Sequence, residues 1–173
     1  MIHAEFEDAL INLNLIPDER KFWLPYLEEL VAKKTRSEVE FAVTKDWQPC
    51  DFKAPEAWVR GIYDAVYFEG PRAHVLDWKT GKERDYGDQL KLYATIILAS
   101  HAEVETVTSE ICYIDLNKHV SYVDITRSDF PMMQKWLSSR VAKLENDDIF
   151  APKPSYGCRW CHFRKSNGGP CQW

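Results

Sequence analysis

The sequence predicts an α/β fold in which a mixed central β-sheet is flanked by helices. Segments with apolar residues at helical spacing surround segments in which apolar and polar residues alternate, as they do along strands. Helices, strands, a helix, a strand pair and a final helix follow one another, an order typical of such a sheet. The 173 residues, 45% of them hydrophobic and 28% charged, suffice for a globular domain with its own core.

The first 34 residues are predicted to form two helices. Apolar residues at helical spacing, beginning at Phe6, favour a helix over residues 4–15, and Pro17 then interrupts the chain. The second helix is expected to end near Lys34, with Pro25 either in its first turns or at a kink.

Strand patterns dominate the middle of the chain. Apolar residues alternate with carboxylates in residues 38–43, and a turn at residues 69–72 joins two further strands into a predicted hairpin. A second strand pair surrounds Asn117, and the last helix is expected to have Ser128 as its N-cap and Pro131 in its first turn. The predicted later elements are strands 57–68, 73–79, 104–115 and 119–125, and helices 86–100 and 128–145.

The charge balance limits the classes of function. A net charge of −5 argues against a protein that coats duplex DNA through bulk positive charge. It is compatible with a nuclease, whose carboxylates hold metal ions and whose basic groups need only line one groove. The sequence has neither an apolar stretch of membrane-spanning length nor an N-terminal charged leader followed by an apolar run. We therefore expect a cytoplasmic protein without a membrane partner.

One short stretch carries an unusual pair of charges. Asp77 and Lys79 are two residues apart on an otherwise apolar predicted strand, so they share one face of it. Burying either charge alone would be costly, and the predicted hairpin brings Asp64 near Asp77. Two adjacent carboxylates repel each other unless a cation such as Mg²⁺ or Mn²⁺ lies between them. These three residues therefore predict a site for metal-dependent phosphodiester hydrolysis.

A helical pair follows downstream. Gln89 and Tyr93 are four residues apart, so they share one face of the predicted helix and can both point at the aspartates. The amide could position a nucleotide or the lysine, and the phenol could stack on a base or bind a phosphate. Considered alone, the two residues would be interpreted as the polar edge of an amphipathic helix.

The combination of motifs resembles a known nuclease family. G-x-x-D at residues 61–64, D-W-K-T-G at 77–81 and Q-L-x-x-Y at 89–93 together resemble the RecB-like branch of the PD-(D/E)XK nucleases, over roughly residues 35–173. That branch includes exonuclease domains of bacterial recombination helicases, and CRISPR-associated and phage-encoded stand-alone nucleases. The resemblance implies a restriction-endonuclease-like core and a metal-dependent deoxyribonuclease.

The resemblance also implies roles for individual residues. Asp64 and Asp77 would bind Mg²⁺ or Mn²⁺. Lys79 would orient or deprotonate the attacking water, or stabilise charge on the phosphate, and Gln89 and Tyr93 would support this set.

An upstream His or Glu near the metal is implied as well. No histidine lies between His3 and Asp64, so we expect a glutamate in this role. Glu38 and Glu40 share a face of the predicted strand, and Glu38 is the preferred candidate. Alternating glutamates are equally typical of the wet face of a half-exposed strand.

The last residues, 146–173, contain three of the five cysteines. Cys158 and Cys161 have the spacing of a metal-ligand hairpin, and Cys171 follows a Gly-Gly-Pro turn. In a reducing cytoplasm such a cluster favours metal ligands over disulfides. We therefore predict a tail held together by a structural metal.

The type of structural metal stays open between two alternatives. We favour a zinc ion, for which His162 or His3 could supply the fourth ligand. Relatives of the family hold a 4Fe–4S cluster instead, through one further upstream cysteine, for which only Cys50 is a candidate. Cys112 lies in an apolar predicted strand and is expected to be a small core residue.

The predicted function is that of a DNA exonuclease acting on single strands or on DNA ends, the exonuclease mode being favoured by the resemblance. The protein would be a stand-alone bacterial or phage enzyme of the bacterial cytoplasm, with recombination or replication proteins as partners. The alternatives are a non-catalytic DNA- or protein-binding module and a structure-specific endonuclease. The chain is predicted as a single domain comprising N-terminal helices 1–34, a catalytic core 35–145 and a cysteine-rich tail 146–173.

Overall fold

A computed structural model describes residues 2–121, 124–149 and 151–172. The chain divides into two compact units, Met1–Leu137 and Ser138–Trp173. The first unit holds the sheet and the second holds the cysteine-rich tail. Within the described ranges, no helix is both long enough and apolar enough to cross a membrane.

The first unit is built on one mixed β-sheet. Its strands are β1 Arg36–Val43, β2 Val59–Glu69, β3 Arg72–Lys79, β4 Thr106–Tyr113, β5 Lys118–Ser121 and β6 Ile125–Thr126. The strand order is β1-β2-β3-β4-β5, and β6 also pairs with β4. Only the β3–β4 pair is parallel among the described strand pairs; the others are antiparallel. Together with the four α-helices of the described residues, this sheet confirms the predicted α/β fold with a mixed sheet.

The described α-helices are α1 Ile2–Ile11, α2 Leu24–Ala32, α3 Gly87–Ser100 and α4 Phe130–Glu145. Pro25 lies in the first turn of α2 and Pro131 in that of α4, as predicted. Ser128, however, is not an N-cap. Thr126 caps a 3₁₀ turn that leads into α4, because its N–H and hydroxyl both donate to the Asp129 carboxylate, at 2.9 and 2.7 Å.

Two predicted elements are shorter than expected. The first helix ends at Ile11, and a separate 3₁₀ turn covers Leu13–Leu15. The strand predicted over residues 119–125 is represented by β5 and β6, while residues 122–123 lie outside the described part of the chain.

Each face of the sheet packs against different helices. On one face α3 and Phe130 cover a core that includes Ala73 and Val75 of β3. On the other face α1 and α2 cover a core that includes Leu76 and Trp78. Successive strand residues point to opposite faces, so Asp77 belongs to the α3 face.

Both β1 and β2 are irregular at one point. Tyr63 and Val66 pack in the core beneath α3, whereas Ala65 packs in the core beneath α1 and α2. A regular strand would direct residues 63 and 65 to the same face, so the alternation shifts by one residue at Asp64. Glu38, which lies opposite Asp64 in the register, has a φ of 49°, in the left-handed region. The two irregular positions coincide with two predicted site residues.

A buried carboxylate connects α2 to the sheet. Glu110 of β4 accepts a hydrogen bond from the Tyr26 hydroxyl at 2.7 Å, and its oxygens lie 2.6 Å from His119 Nε2 and 3.1 Å from His74 Nδ1. Burial alone would raise the pKa of Glu110, but the contacts with His119, His74 and Tyr26 outweigh burial and lower it to about 2. The network therefore favours the ionised carboxylate.

We predict that Glu110→Gln lowers the free energy of unfolding at neutral pH by on the order of 2–3 kcal/mol. The folded-state pKa of about 2 lies below the ordinary value of 4.5, so the stabilisation is present above pH 4.5. It is lost as the pH falls from 4.5 towards 2. Urea unfolding of wild type and variant between about pH 3 and pH 8 checks this. A deficit of equal size at both ends of the range would contradict it, and exposed Glu56→Gln is the control.

Candidate active site

The hairpin of β2 and β3 brings the two predicted aspartates side by side. Ala65 pairs with Leu76 at the end of the ladder, and Asp64 and Asp77 are the next residues of the two strands beyond this pair. Asp64 Oδ2 accepts a hydrogen bond of 2.8 Å from the Trp78 backbone N–H. The side chains of Asp64 and Asp77 are 11% and 1% exposed, so both carboxylates are largely removed from water.

Asp77 is held from two sides. Gln89 Nε2 donates a hydrogen bond of 2.8 Å to Asp77 Oδ1, and the Lys79 ammonium forms an ion pair with Oδ2. No described residue donates a well-aligned hydrogen bond to Oδ2, so this buried oxygen retains lone pairs that could bind a cation. Asp77 and Lys79 thus share a strand face, as their spacing predicted.

The electrostatics of the pair are unfavourable without a cation. Burial and then the charge of Asp77 raise the pKa of Asp64 to about 6, although the Trp78 N–H, His3 and Lys79 act in the opposite direction. Burial also raises the pKa of Asp77 against the opposing effect of Lys79. A hard divalent cation with oxygen ligands would relieve this repulsion.

Gln89 and Tyr93 form a hydrogen-bond chain that ends on Asp77. Gln89 Nε2 also donates to the Tyr93 hydroxyl at 2.8 Å, and that hydroxyl donates to the Ile62 carbonyl at 3.2 Å. Burial raises the pKa of Tyr93 to about 12, so its hydroxyl keeps its proton. This hydrogen-bond chain sets the orientation of the Gln89 amide and, through the amide, that of the Asp77 carboxylate.

Tyr93 is enclosed by other aromatic rings. Its ring centroid lies 5.9 Å from that of Phe41 and 5.2 Å from that of Tyr63, and the residue is 8% exposed. The sequence suggested that the phenol could stack on a base, but a buried ring has no free face for a base. Its geometry supports a positioning role through Gln89.

Helix α1 contributes a histidine to the same site. His3 Nδ1 lies 3.4 Å from Asp64 Oδ2, and one donor atom each of His3, Glu38 and Asp64 lie within 4.8 Å of one another. Among the described residues this is the only such cluster of His, Cys, Asp or Glu donors. The structure therefore brings both a histidine and a glutamate to Asp64, where the sequence predicted a glutamate alone.

The position of His3 follows from helix docking. Phe6, one turn further along α1, is fully buried and packs against Trp78, with 5.0 Å between ring centroids. Residues three apart share a helix face, so docking Phe6 on Trp78 also brings His3 to the strand that carries Asp77. A polar residue one turn before a buried aromatic was the signal in the sequence. The sequence predicts His3 only as a possible ligand of the tail metal, whereas the structure places it beside Asp64.

The two candidate glutamates differ in surroundings. Glu38 lies across from Asp64, at the irregular point of β1. Glu40 lines a separate cavity of about 190 Å³ on the same unit, together with Arg36 and Cys50. The geometry thus gathers Glu38, and not Glu40, with His3 and Asp64.

The glycine of the G-x-x-D motif has a packing role. A Cβ added at Gly61 would lie 2.4 Å from Phe41 Cζ, which is too close for any side chain. The Phe41 ring in turn stacks on Tyr63 at 4.3 Å between centroids. Gly61 therefore lets the aromatic layer beneath the site pack against the strand backbone.

In the second unit, the three tail cysteines line one pocket of about 570 Å³ with Pro152, Pro154, Phe163, Pro170 and Lys153. Cys171 returns to Phe163 because its N–H donates to the Phe163 carbonyl at 2.8 Å, while the Lys165 N–H donates to the Cys171 carbonyl at 2.8 Å. This pairing brings Cys171 back beside Phe163, although nine residues separate Cys161 from Cys171 in the sequence.

The sequence predicts His162, His3 or Cys50 as the fourth ligand of the tail metal. His162 is exposed and does not line the cysteine pocket. Cys50 belongs to the first unit, where it lines the cavity with Glu40. Cys112 is fully buried in the core, as predicted.

We predict that Mg²⁺ or Mn²⁺ raises the Tm of the metal-free protein, because a ligand that binds the folded state stabilises it by about 1.4 kcal/mol at ten times its Kd. Asp64→Asn should abolish this metal-dependent rise, since it removes a carboxylate from the cluster. Differential scanning calorimetry with and without metal measures the shift. Glu110→Gln, which removes a buried carboxylate outside the site, should keep it. A full shift in Asp64→Asn would exclude Asp64 as a ligand.

The chain is similar to one described protein family over nearly its whole length. The model of the PD-(D/E)XK nuclease superfamily matches residues 4–166. A solved structure described as "Crystal structure of SSO0001" is similar at 16% sequence identity and a TM-score of 0.42, over 94% of this chain and 78% of that chain. A search of curated proteins finds no match. Because this match covers nearly the whole chain, from residue 4 to residue 166, this chain belongs to the PD-(D/E)XK nuclease superfamily.

Proposed function

We propose that this protein is a metal-dependent deoxyribonuclease that hydrolyses phosphodiester bonds. The observation that carries the proposal is the pair of largely buried carboxylates, Asp64 and Asp77, beside the Lys79 ammonium. A purely structural ion pair would need one carboxylate, whereas the second raises the cost of burial. Membership of a nuclease superfamily supports the same chemistry.

The donor set fits a hard divalent cation. Asp64 and Asp77 would hold Mg²⁺ or Mn²⁺. Glu38 and His3, which each place a donor atom within 4.8 Å of Asp64, would be further ligands. When bound, such a cation supplies charge stabilisation at the scissile phosphate and lowers the pKa of a bound water. The mixture of three carboxylates and one imidazole also suits Mn²⁺.

The remaining residues act on geometry and charge. The Lys79 side chain is 19% exposed, so its ammonium can reach a phosphate oxygen or the attacking water. Gln89 fixes the rotamer of Asp77, and Tyr93 fixes that of Gln89. These contacts preorganise the carboxylate and so lower the reorganisation needed during the reaction.

The mode of cleavage is a further part of the proposal. The resemblance to RecB-like nucleases supports an exonuclease acting on single-stranded DNA or DNA ends, in a stand-alone bacterial or phage enzyme that works with recombination or replication proteins. The complete set of Asp64, Asp77 and Lys79 favours catalysis over a non-catalytic binding module. A structure-specific endonuclease uses the same site, so the substrate assay has to separate the two.

For the second unit we propose a structural metal bound by Cys158, Cys161 and Cys171. The three cysteines line one pocket of about 570 Å³ in the described tail. Zinc and a 4Fe–4S cluster are both bound by cysteine thiolates, so the metal content has to separate the two.

We predict that wild type degrades end-labelled linear DNA in Mg²⁺ or Mn²⁺, and that Lys79→Ala lowers the rate at least about 100-fold by removing the cation next to the reacting phosphate. Lys21→Ala, which removes a surface lysine paired with Asp18 at 2.6 Å, is the matched control and should cleave at the wild-type rate. Gel analysis of released label gives the rates.

Two substrates separate the modes of action. Degradation of linear single strands with a closed single-stranded circle left intact supports the exonuclease. Cutting of the circle would establish the endonuclease instead. Binding of DNA by wild type without cleavage in either metal would refute the enzyme and support the binding module.

We predict that the isolated protein contains a metal in the tail and that Cys161→Ser loses it, because one of three protein ligands is removed. Elemental analysis and visible absorption distinguish iron with a brown colour from zinc without colour. Cys112→Ala alters a core residue of the other unit and should keep the metal. Absence of both metals from anaerobically purified wild type would contradict the proposed metal site.

A further inference from the structure

Lys79 is held by an aromatic ring as well as by Asp77. Its Nζ lies 4.8 Å from the centroid of the Tyr86 ring, within the range of a cation–π interaction. Tyr86 belongs to none of the three sequence motifs that characterise the site. The ammonium therefore lies between a carboxylate and an aromatic face.

Contacts other than the one with Lys79 fix the position of the Tyr86 ring. It packs against the small core of Leu90, Ile111 and Tyr113, and its centroid lies 6.3 Å from that of Tyr113. The Tyr86 carbonyl accepts the hydrogen bond of the Leu90 N–H at 3.1 Å, which ties the residue to the first turn of α3. The ring position is thus set by the core and by the helix, and does not depend on Lys79.

The loop between Lys79 and Tyr86 is also fastened to the sheet. The Gly81 N–H donates to Asp115 Oδ2 at 2.8 Å, and the buried Tyr113 hydroxyl donates to the Arg84 carbonyl at 2.8 Å. Both anchors join the loop to residues at the end of β4 and just beyond it. Lys79 and Tyr86, at the two ends of this loop, are therefore held at a defined separation.

Because Lys79 lies beside the proposed metal ligand Asp77, an uncharged aromatic ring can hold its ammonium under conditions in which the carboxylate cannot. A divalent cation held by Asp77 would take up part of the carboxylate charge and would repel the nearby ammonium. A ring attracts the ammonium through its quadrupole and carries no charge that the cation could neutralise. The ring face also leaves the N–H donors of Lys79 free for a phosphate or a water.

We propose that Tyr86 is a positioning residue of the active site, whose ring keeps the Lys79 ammonium in place when Asp77 is engaged with a cation. This inference rests on the proposed nuclease function. It gives Tyr86, the residue just before α3, a role in the reaction although Tyr86 lies outside the three sequence motifs.

Two substitutions at Tyr86 test the role of the ring. Tyr86→Phe keeps the aromatic face and should cleave DNA within about twofold of the wild-type kcat. Tyr86→Leu removes the face and should lower kcat about 3- to 30-fold, the range that corresponds to a partly desolvated cation–π contact. The KM for DNA should stay unchanged in both, because the ring positions Lys79 and does not bind the strand.

Tyr67 provides a matched control. Lys33 Nζ lies 4.8 Å from the centroid of the Tyr67 ring, the same distance as in the site, but on the face of the sheet covered by α2. Tyr67 is 5% exposed, so Tyr67→Leu tests whether loss of a buried tyrosine lowers kcat through general destabilisation. Assayed below its Tm, this variant should retain the wild-type kcat.

A second readout needs no activity. In the metal-free protein the Hε protons of Lys79 should show an upfield ring-current shift by NMR in wild type and Tyr86→Phe, and should lose it in Tyr86→Leu. Lys79→Ala identifies the resonance by its absence.

The outcomes separate the two proposals. A wild type that cleaves no DNA overturns the nuclease function. In an active wild type, unshifted Lys79 protons, a wild-type kcat in Tyr86→Leu, or an equal loss of kcat in Tyr67→Leu overturns the role of Tyr86.

Discussion

Two carboxylates held side by side at the end of a hairpin impose the main constraint on this structure. Asp64 and Asp77 are largely buried, and a buried pair of like charges is unfavourable unless other groups compensate it. The surrounding elements supply such groups from every side: a backbone N–H from β3, an imidazole from α1, an amide from α3 and the Lys79 ammonium. The irregular backbone at Glu38 and Asp64 belongs to the same arrangement.

Glu110 is a second buried carboxylate, and its negative charge is fully compensated by hydrogen-bonding neighbours. Glu110 is as buried as the aspartates, yet its contacts with Tyr26, His74 and His119 lower its pKa to about 2, whereas that of Asp64 is raised to about 6. Burial acts in the same direction on both residues, so the number of donors around each decides the outcome. Glu110 is satisfied by the protein and holds α2 to the sheet. The aspartates are left short of positive charge, which is the condition for binding a cation.

The local patterns predicted the elements well, and the contacts between elements less well. Alternation and turn composition predicted the β2–β3 hairpin, and with it the approach of Asp64 to Asp77. The N-cap was assigned to Ser128, but the reciprocal bonds of Thr126 with Asp129 moved the cap two residues upstream. His3 was considered only for the tail, because its position at Asp64 depends on how α1 docks. That docking is a matter of Phe6 packing on Trp78, far along the sequence.

The sequence by itself determined the order of helices and strands, the shared face of Asp77 and Lys79, and the shared face of Gln89 and Tyr93. These follow from periodicities of two and 3.6 residues, which are properties of the local backbone. Only the tertiary structure decided which distant groups surround each charge: His3 at Asp64, and Tyr86 at Lys79. It also decided that Glu38, and not Glu40, lies at the site, since Glu38 is across from Asp64 in the pairing of β1 with β2 and its donor atom is close to those of His3 and Asp64. Contacts of this kind depend on how whole elements pack, and a local pattern carries no record of that packing.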